Sequence, residues 1–409
     1  MAGRFDFQTH CIDSSGGVFN TACDLFTPLV GRGHYHTRGF REAALFFGCS
    51  EVSYRSITET FNRLRCDPKA TKSRTVCNVA EREAAEVETV LNREVQDVLK
   101  KAGFSSDGKP PSSMKVKIPK HSLQPVKRVE QACRQAGGDS GPLPTGMIPF
   151  ENPELSVYCS VDNVGVNRQK DCRQEGWTPP KETLKNVWTS VATVTANGTD
   201  RVLNARSVVD LMPMIMATIV CSSLLNRRLI FLTDGEKALK TAIFDAFSWY
   251  PNVVLILDWY HLSRKVGQLL SMGLNGSSKD KKPVGAQLRK LLWEGRTDQA
   301  IACLEALTPA GKVRNQTKVD ELKTYLERHR THIPSYAVRD ELQLRNSSNR
   351  VEKANDQLVS QRQKRKGLSW TDDGSASLAT LRMVRVNGQI KNWLDNHSLD
   401  LAIPDEEAA

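Results

Sequence analysis

The sequence predicts a mixed α/β domain with helices covering its sheet, preceded by a small helical region and interrupted by an all-helical segment. Three observations carry this. β-type runs stand at 155–161, 187–195 and 201–206, the second closed by Asn197-Gly198. A long apolar helix, 207–225, follows them, and two strand-into-helix units come next, "LIFLTDGEKALKTAIFDAF" and "VVLILDWYHLSRKV". Three strands, a helix, a strand, a helix and a strand build a mixed sheet with helical cover. From about 262 to 335 the chain turns helical, polar and charged.

The front of the chain reads as helices. "REAALFFG" followed by "CSEVSYRSITETFNRL" has the small residues Ala44 and Gly48 four apart, and Ala43, Phe47, Cys49, Tyr54 and Ile57 fall where two helices would face each other. That is the pattern of a helix-turn-helix, whose second helix would offer Ser53, Arg55, Ser56 and Thr58 to a DNA groove. An ordinary helical hairpin has the same pattern. Residues 79–102 carry Ala84, Val87, Leu91, Val95 and Val98 at spacings of three and four, stopped by Gly103, so a strong helix is expected that packs internally or pairs with a second copy.

Between 104 and 153 the composition shifts to Gly, Pro, Ser and Lys, which reads as a basic linker. The boundaries that follow are 1–103 for the helical, DNA-binding region and 104–153 for the linker. The catalytic domain takes 154–261 and 336–395, the helical insertion 262–335, and an acidic tail 396–409.

The 409 residues carry 57 Lys+Arg against 46 Asp+Glu, a net charge of +11 that favours a polyanionic partner. With 39% hydrophobic residues the chain can bury real cores, which excludes a disordered tail. Val208 to Leu225 is nearly continuous in apolar residues, but Asp210 and Pro213 interrupt it, so a buried helix is expected and no membrane partner. The polar opening and the scattered cysteines, without a C-x-x-C pair, point to a cytoplasmic, nucleoid-associated protein with reduced thiols.

Two acids occupy the places a sheet enzyme uses. Asp162 closes the first strand and Asp234 the fourth, at the carboxyl ends where ligand crevices of open α/β sheets lie. Two-metal phosphoryl transfer needs a third carboxylate. "RNSSNRVEKANDQLVSQRQKRKGLSW" supplies it on a helix from about Ser348 to Arg362, with Val351, Ala354, Leu358 and Val359 on its apolar face and Glu352 at that face's edge. Asn355 stands one turn on, and Arg350, Arg362, Lys364, Arg365 and Lys366 would meet a phosphate backbone. Each acid taken singly is more commonly a turn or surface residue, and it is the pair of Asp residues on consecutive expected positions that points to a site.

The order of motifs resembles the bacterial insertion-sequence DDE transposases of the Mutator-like group, in the Lre and Kra branches. The residues that carry it are "SVDNVGVNRQK", "LTDGEKALKTA", "LDWYHLSRKV" and "NRVEKANDQLVSQRQKRKGLSW", across roughly Leu155 to Leu381. The resemblance implies a ribonuclease H-like catalytic domain, with a helical insertion before the last catalytic helix. It implies Asp162, Asp234 and Glu352 as a triad binding two Mg²⁺, replaceable by Mn²⁺. It also implies double-stranded DNA, as element ends and target, handled by a dimer or larger assembly. Asp258 and His261 form a D-x-x-H element that supports the site, His261 orienting a carboxylate or a flipped nucleotide or serving as a structural histidine, and Asp258 is the reserve ligand should Glu352 fail. Asn163 stands where the family shows Gly. Two other readings stay open: a domesticated, catalytically silent DNA-binding protein, and a structure-specific nuclease on the same fold.

Overall fold

A computed structural model describes residues 11–14, 17–20, 38–105, 108–169, 185–365 and 367–404. A short hairpin, β1 (Cys11–Ser14) and β2 (Gly17–Asn20), comes first. The main sheet has five strands: β3 (Ser156–Asn167), β4 (Asn186–Ala196), β5 (Thr199–Ala205), β6 (Arg228–Thr233) and β7 (Val254–Leu257), in the order β5-β4-β3-β6-β7. β3, β4 and β5 form an antiparallel meander, while β6 and β7 run parallel to β3. β6 is buried along its whole length, which is why it reads as an unbroken apolar run rather than an alternation.

Both parallel strands are reached through helices. α5 (Val208–Cys221) leads from β5 to β6, opened by Ser207, whose side chain accepts the Asp210 N–H. α6 (Lys237–Phe247) leads from β6 to β7. The apolar stretch at 208–221 is therefore a core helix, and no helix among the described residues is long and apolar enough to cross a membrane.

The strands divide their side chains between two cores. Val157, Cys159 and Val161 join α5 and α6, whereas Tyr158 joins Ile230, Leu232 and Ile256 beneath the insertion. The insertion is a set of helices, α7 (Trp259–Gly273), α8 (Ser278–Trp293), α9 (Thr297–Leu307) and α10 (Gln316–His329). Its Leu262, Val266, Leu288, Leu304 and Leu322 are part of that second core, so the insertion is a cover for the sheet and not a lobe of its own.

The front helices are α1 (Arg38–Gly48), α2 (Tyr54–Leu64) and α3 (Ser73–Lys101). Ala44, Ile57, Phe61, Val76 and Val79 make a small core among them. The rest of α3, from Ala80 to Leu99, belongs to the main core beside α5 and α14 (Asp372–Val386). The internal packing expected for this helix is there. Arg382 of α14 donates to the Cys49 and Ser50 carbonyls, fixing the turn between α1 and α2 to the catalytic half.

The stretch 104–153 departs from the linker expectation. It holds α4 (Val126–Gly137), and Ala132, Cys133, Leu143 and Phe150 pack on Ala337, Val338 and Leu342 around α11 (Tyr336–Glu341). Glu151, wholly buried, forms a two-pronged pair with buried Arg339 at 2.6 and 2.8 Å and accepts the Tyr158 hydroxyl at 3.0 Å. The apolar spacing that drives this packing sits among so many Lys, Pro and Gly residues that composition alone hides it.

The last catalytic segment is α12 (Asn349–Asn355), a π turn at Asp356–Ser360, and α13 (Gln361–Gln363), followed by α14 and α15 (Ile390–Asn396). The expected helix over 348–362 exists with one wide turn in it. The extra residue lets Leu358 and Val359 both face inward, and such turns concentrate at functional sites.

A candidate active site at the end of the parallel ladder

The parallel ladder between β3 and β6 ends at Ser160 and Leu232, and Asp162 and Asp234 each stand two residues past that pair. Contrary to the sequence expectation, Asp162 does not close its strand: β3 runs on to Asn167, paired there with β4 alone. The crevice opens because β6 stops and its chain turns away. At that turn Gly235 has φ +86, and the Asp234 side chain accepts the Glu236 N–H at 2.8 Å.

Gly235 is required by space as well as by backbone. A Cβ there would stand 2.8 Å from Leu257 Cδ1 and 2.9 Å from His329 Cε1. The C-terminal end of the insertion thus braces the Asp234 turn. His329 is buried at this contact, and burial, with Lys240 and Arg328 nearby, pushes its imidazole down to about 4, so it packs as a neutral ring.

α12 lies over β3 and β4 and delivers the third acid. Asn355, buried, donates from Nδ2 to Asp162 Oδ2 at 2.6 Å, while the other Asp162 oxygen accepts the Asn163 N–H at 2.8 Å. Burial first, then the charges of Asp234 and Glu352, raise the Asp162 carboxyl above its ordinary value against the Asn163 N–H and His261. α12 thus carries Glu352 one turn from the side chain bound to Asp162. Asn163 itself donates to Glu236 at 3.1 Å and accepts from Ser190 at 2.7 Å, tying the Asp234 turn to β4.

Asp258 has a different part. It is 1% exposed, its Oδ1 accepts the His261 N–H at 2.8 Å as the N-cap of α7 and faces His261 Nδ1 at 3.1 Å, and its Oδ2 accepts the Ser348 N–H and hydroxyl. Burial would raise this carboxyl, yet the bonds from His261 and Ser348 outweigh it and hold the group below its usual range. Both oxygens hold hydrogen bonds within the fold, so Asp258 braces the start of α7 against Ser348. His261 is thereby aimed with Nε2 3.7 Å from Glu352 Oε1, and its own pKa is raised, first by the Asp258 bond and then by the charges of Asp258, Glu352 and Asp234.

The expected DNA contacts are placed unevenly. Arg55 is exposed on α2, 3.9 Å from Glu59. Thr58 is buried, its hydroxyl bonded to the Tyr54 carbonyl, and Ser53 caps α2 through the Ser56 N–H; neither is free to meet a groove. Arg350 pairs with Asp200. Arg362 is 5% exposed, its guanidinium between the Tyr54 and Trp370 rings at 5.7 and 5.4 Å, which makes it a joint between α13 and α2 and not a surface cation. Lys364 and Arg365 are exposed, the latter 3.7 Å from Glu51. Lys366 and the end of the acidic tail, 405–409, lie outside the described residues.

The carboxylates of Asp162, Asp234 and Glu352 are oxygen donors of the kind Mg²⁺ takes, and Asp162 is raised first by burial and then by the charges of the other two. Asp162, Asp234 and Glu352 fit the ion by chemistry and charge. Among the described residues no three His, Cys, Asp or Glu side chains are placed as a metal-holding group, and Glu352 faces His261. Ser348, Gly235 and His329 are site-building residues that the sequence reading missed; a glycine directly after Asp234 was the one visible signal.

The chain matches no family model, no curated protein and no solved structure.

Proposed function

We propose that the protein is a DDE transposase, cutting DNA at element ends and transferring the freed strand to target DNA at a site built from Asp162, Asp234 and Glu352. The observation that carries it is the placement of Asp162 and Asp234 two residues past the last parallel pair of β3 and β6, with Asn355, one turn from Glu352 on α12, bound to Asp162. A three-stranded meander followed by two parallel crossovers, β5-β4-β3-β6-β7, supports the ribonuclease H-like reading of the domain. The resemblance of the motifs around the three acids supports it independently.

Asp162, Asp234 and Glu352 would hold two Mg²⁺, or Mn²⁺, which when bound supply Lewis acidity for in-line displacement at phosphorus. Asn355 fixes the rotamer of Asp162, and Asp258 fixes His261 beside Glu352. The Asp258 bond, first, and the charges of Asp258, Glu352 and Asp234 raise the His261 imidazole above its ordinary value, which favours its protonated form beside these carboxylates. The partners of this reading are double-stranded DNA and further copies of the chain, in the cytoplasm at the nucleoid.

The test incubates the protein, and its Asp234→Ala variant, with a plasmid carrying the gene's own flanking DNA, with and without Mg²⁺ or Mn²⁺. Metal-dependent breaks at fixed flanking positions, lost in the variant, are expected. An Asp234→Ala protein that cuts at the wild-type rate overturns the site, and tight binding to the flanks without breaks replaces the reading with that of a silent DNA-binding protein.

A further inference from the structure

α7 starts at the carboxylate cluster and runs away from it with one face open to solvent. Its orientation is fixed by Leu262, Val266, Leu269 and Leu270, which are buried in the insertion core. Tyr260, Arg264 and Gln268 stand four residues apart, hence one above another, and all three are exposed. The neighbouring Trp259 is packed with Trp293 and Tyr336 at 4.8 and 5.0 Å, but the Tyr260 ring is 54% exposed and meets His261 edge-on at 5.8 Å. Among the described residues the Tyr260 hydroxyl, Arg264 and Gln268 have no hydrogen-bond or ion-pair partner.

An exposed ring beside the site, with an unpaired cation one turn on, contributes little to the core and matches how unpaired strands are gripped. Bases stack on aromatic faces whatever their identity, and cations follow the backbone. We propose that Tyr260, Arg264 and Gln268 form a track for an unpaired DNA segment next to the reacting phosphate. A base stacks on Tyr260, Arg264 meets a phosphate about 6 Å further along the helix, and Gln268 hydrogen-bonds the next nucleotide. The inference rests on the transposase reading for the meaning of the neighbouring site. A closed duplex offers no base face to Tyr260, so the track selects unpaired DNA.

Fluorescence of 2-aminopurine tests this on the full chain with no divalent ion added, using a single-stranded oligonucleotide and the same sequence as a duplex. The single strand is expected to be quenched on binding and the duplex not. Tyr260→Ala should remove the quench and weaken single-strand binding about tenfold, Tyr260→Phe should retain both, and Arg264→Ala should flatten the salt dependence by about 0.7 in log–log slope with the quench intact. Unfolding midpoints equal to wild type confirm that the exposed substitutions leave the fold alone. Tyr260→Ala binding and quenching like wild type, or a duplex quenched as strongly as the single strand, overturns the track. Asp234→Ala separates the two proposals: it should keep the quench while losing cleavage. A Tyr260-dependent quench in a protein that never cuts leaves the track standing and removes the transposase reading.

Discussion

Replacing Asp258 by Ala separates a brace from a metal ligand. The substitution removes the N-cap acceptor of α7, about 1 kcal/mol, and leaves the Ser348 N–H and hydroxyl, 4% exposed, without an acceptor, about 1–3 kcal/mol. It also frees the His261 ring. The two losses sum to about 2–4 kcal/mol, and because they share one carboxylate the value expected in urea unfolding with EDTA present lies toward the lower end of that range. Asp258→Asn keeps one acceptor oxygen and should lose about half as much. Because Asp258 raises His261 above 6.5, that part of the stability is present below about pH 6.5 and is lost as pH rises through the raised value, so the Ala variant should cost more at pH 6 than at pH 8.5. A metal ligand behaves oppositely: its loss leaves the EDTA midpoint unchanged or raises it, by relief of repulsion. An unchanged EDTA midpoint would refute the brace.

Three further outcomes are expected. Gly235→Ala forces a side chain into positive φ and into Leu257 and His329, costing about 2–4 kcal/mol; a urea midpoint within error of wild type would contradict the packing of the Asp234 turn. His329, held near 4 in the fold against 6.5 when exposed, makes the folded state lose stability as pH falls from about 6.5 towards 4, by about 3 kcal/mol; His329→Phe should lack that share of the acid loss, and identical pH profiles would sink the assignment. Glu151→Gln strands the buried Arg339 cation and should cost about 3–5 kcal/mol, whereas Glu151→Leu with Arg339→Met should recover most of it in a double-mutant cycle. Additive losses would show that the two side chains do not act as a pair.

What the sequence disclosed follows the range of the forces involved. Strands and helices arise from local periodicity, so the five-strand pattern, the two strand-into-helix units and the Glu352 helix were readable from residue order. Asp234 before Gly235 marks the end of its strand, and β6 stops at Thr233; the positive φ of Gly235 emerges only in the fold. Tertiary contacts were not readable. Asp258 is a brace because Ser348 reaches it from another segment, and Arg362 is a buried joint because Tyr54 and Trp370 come to it. The stretch 104–153 reads as a linker for the same reason: Phe150 and Glu151 find their partners on α11, far along the chain. Asp162 was placed at a strand end because its strand outlasts only one of its two neighbours.

The central claim is that Asp162, Asp234 and Glu352 form one divalent-cation site, and electron paramagnetic resonance of Mn²⁺ tests it most directly. Titrating Mn²⁺ into the full chain with a short duplex of flanking DNA should deplete the free-ion signal. Asp162→Ala and Asp234→Ala should each restore most of it, while Asp258→Asn should bind much as wild type does. Undiminished Mn²⁺ uptake by both Asp162→Ala and Asp234→Ala would contradict the site.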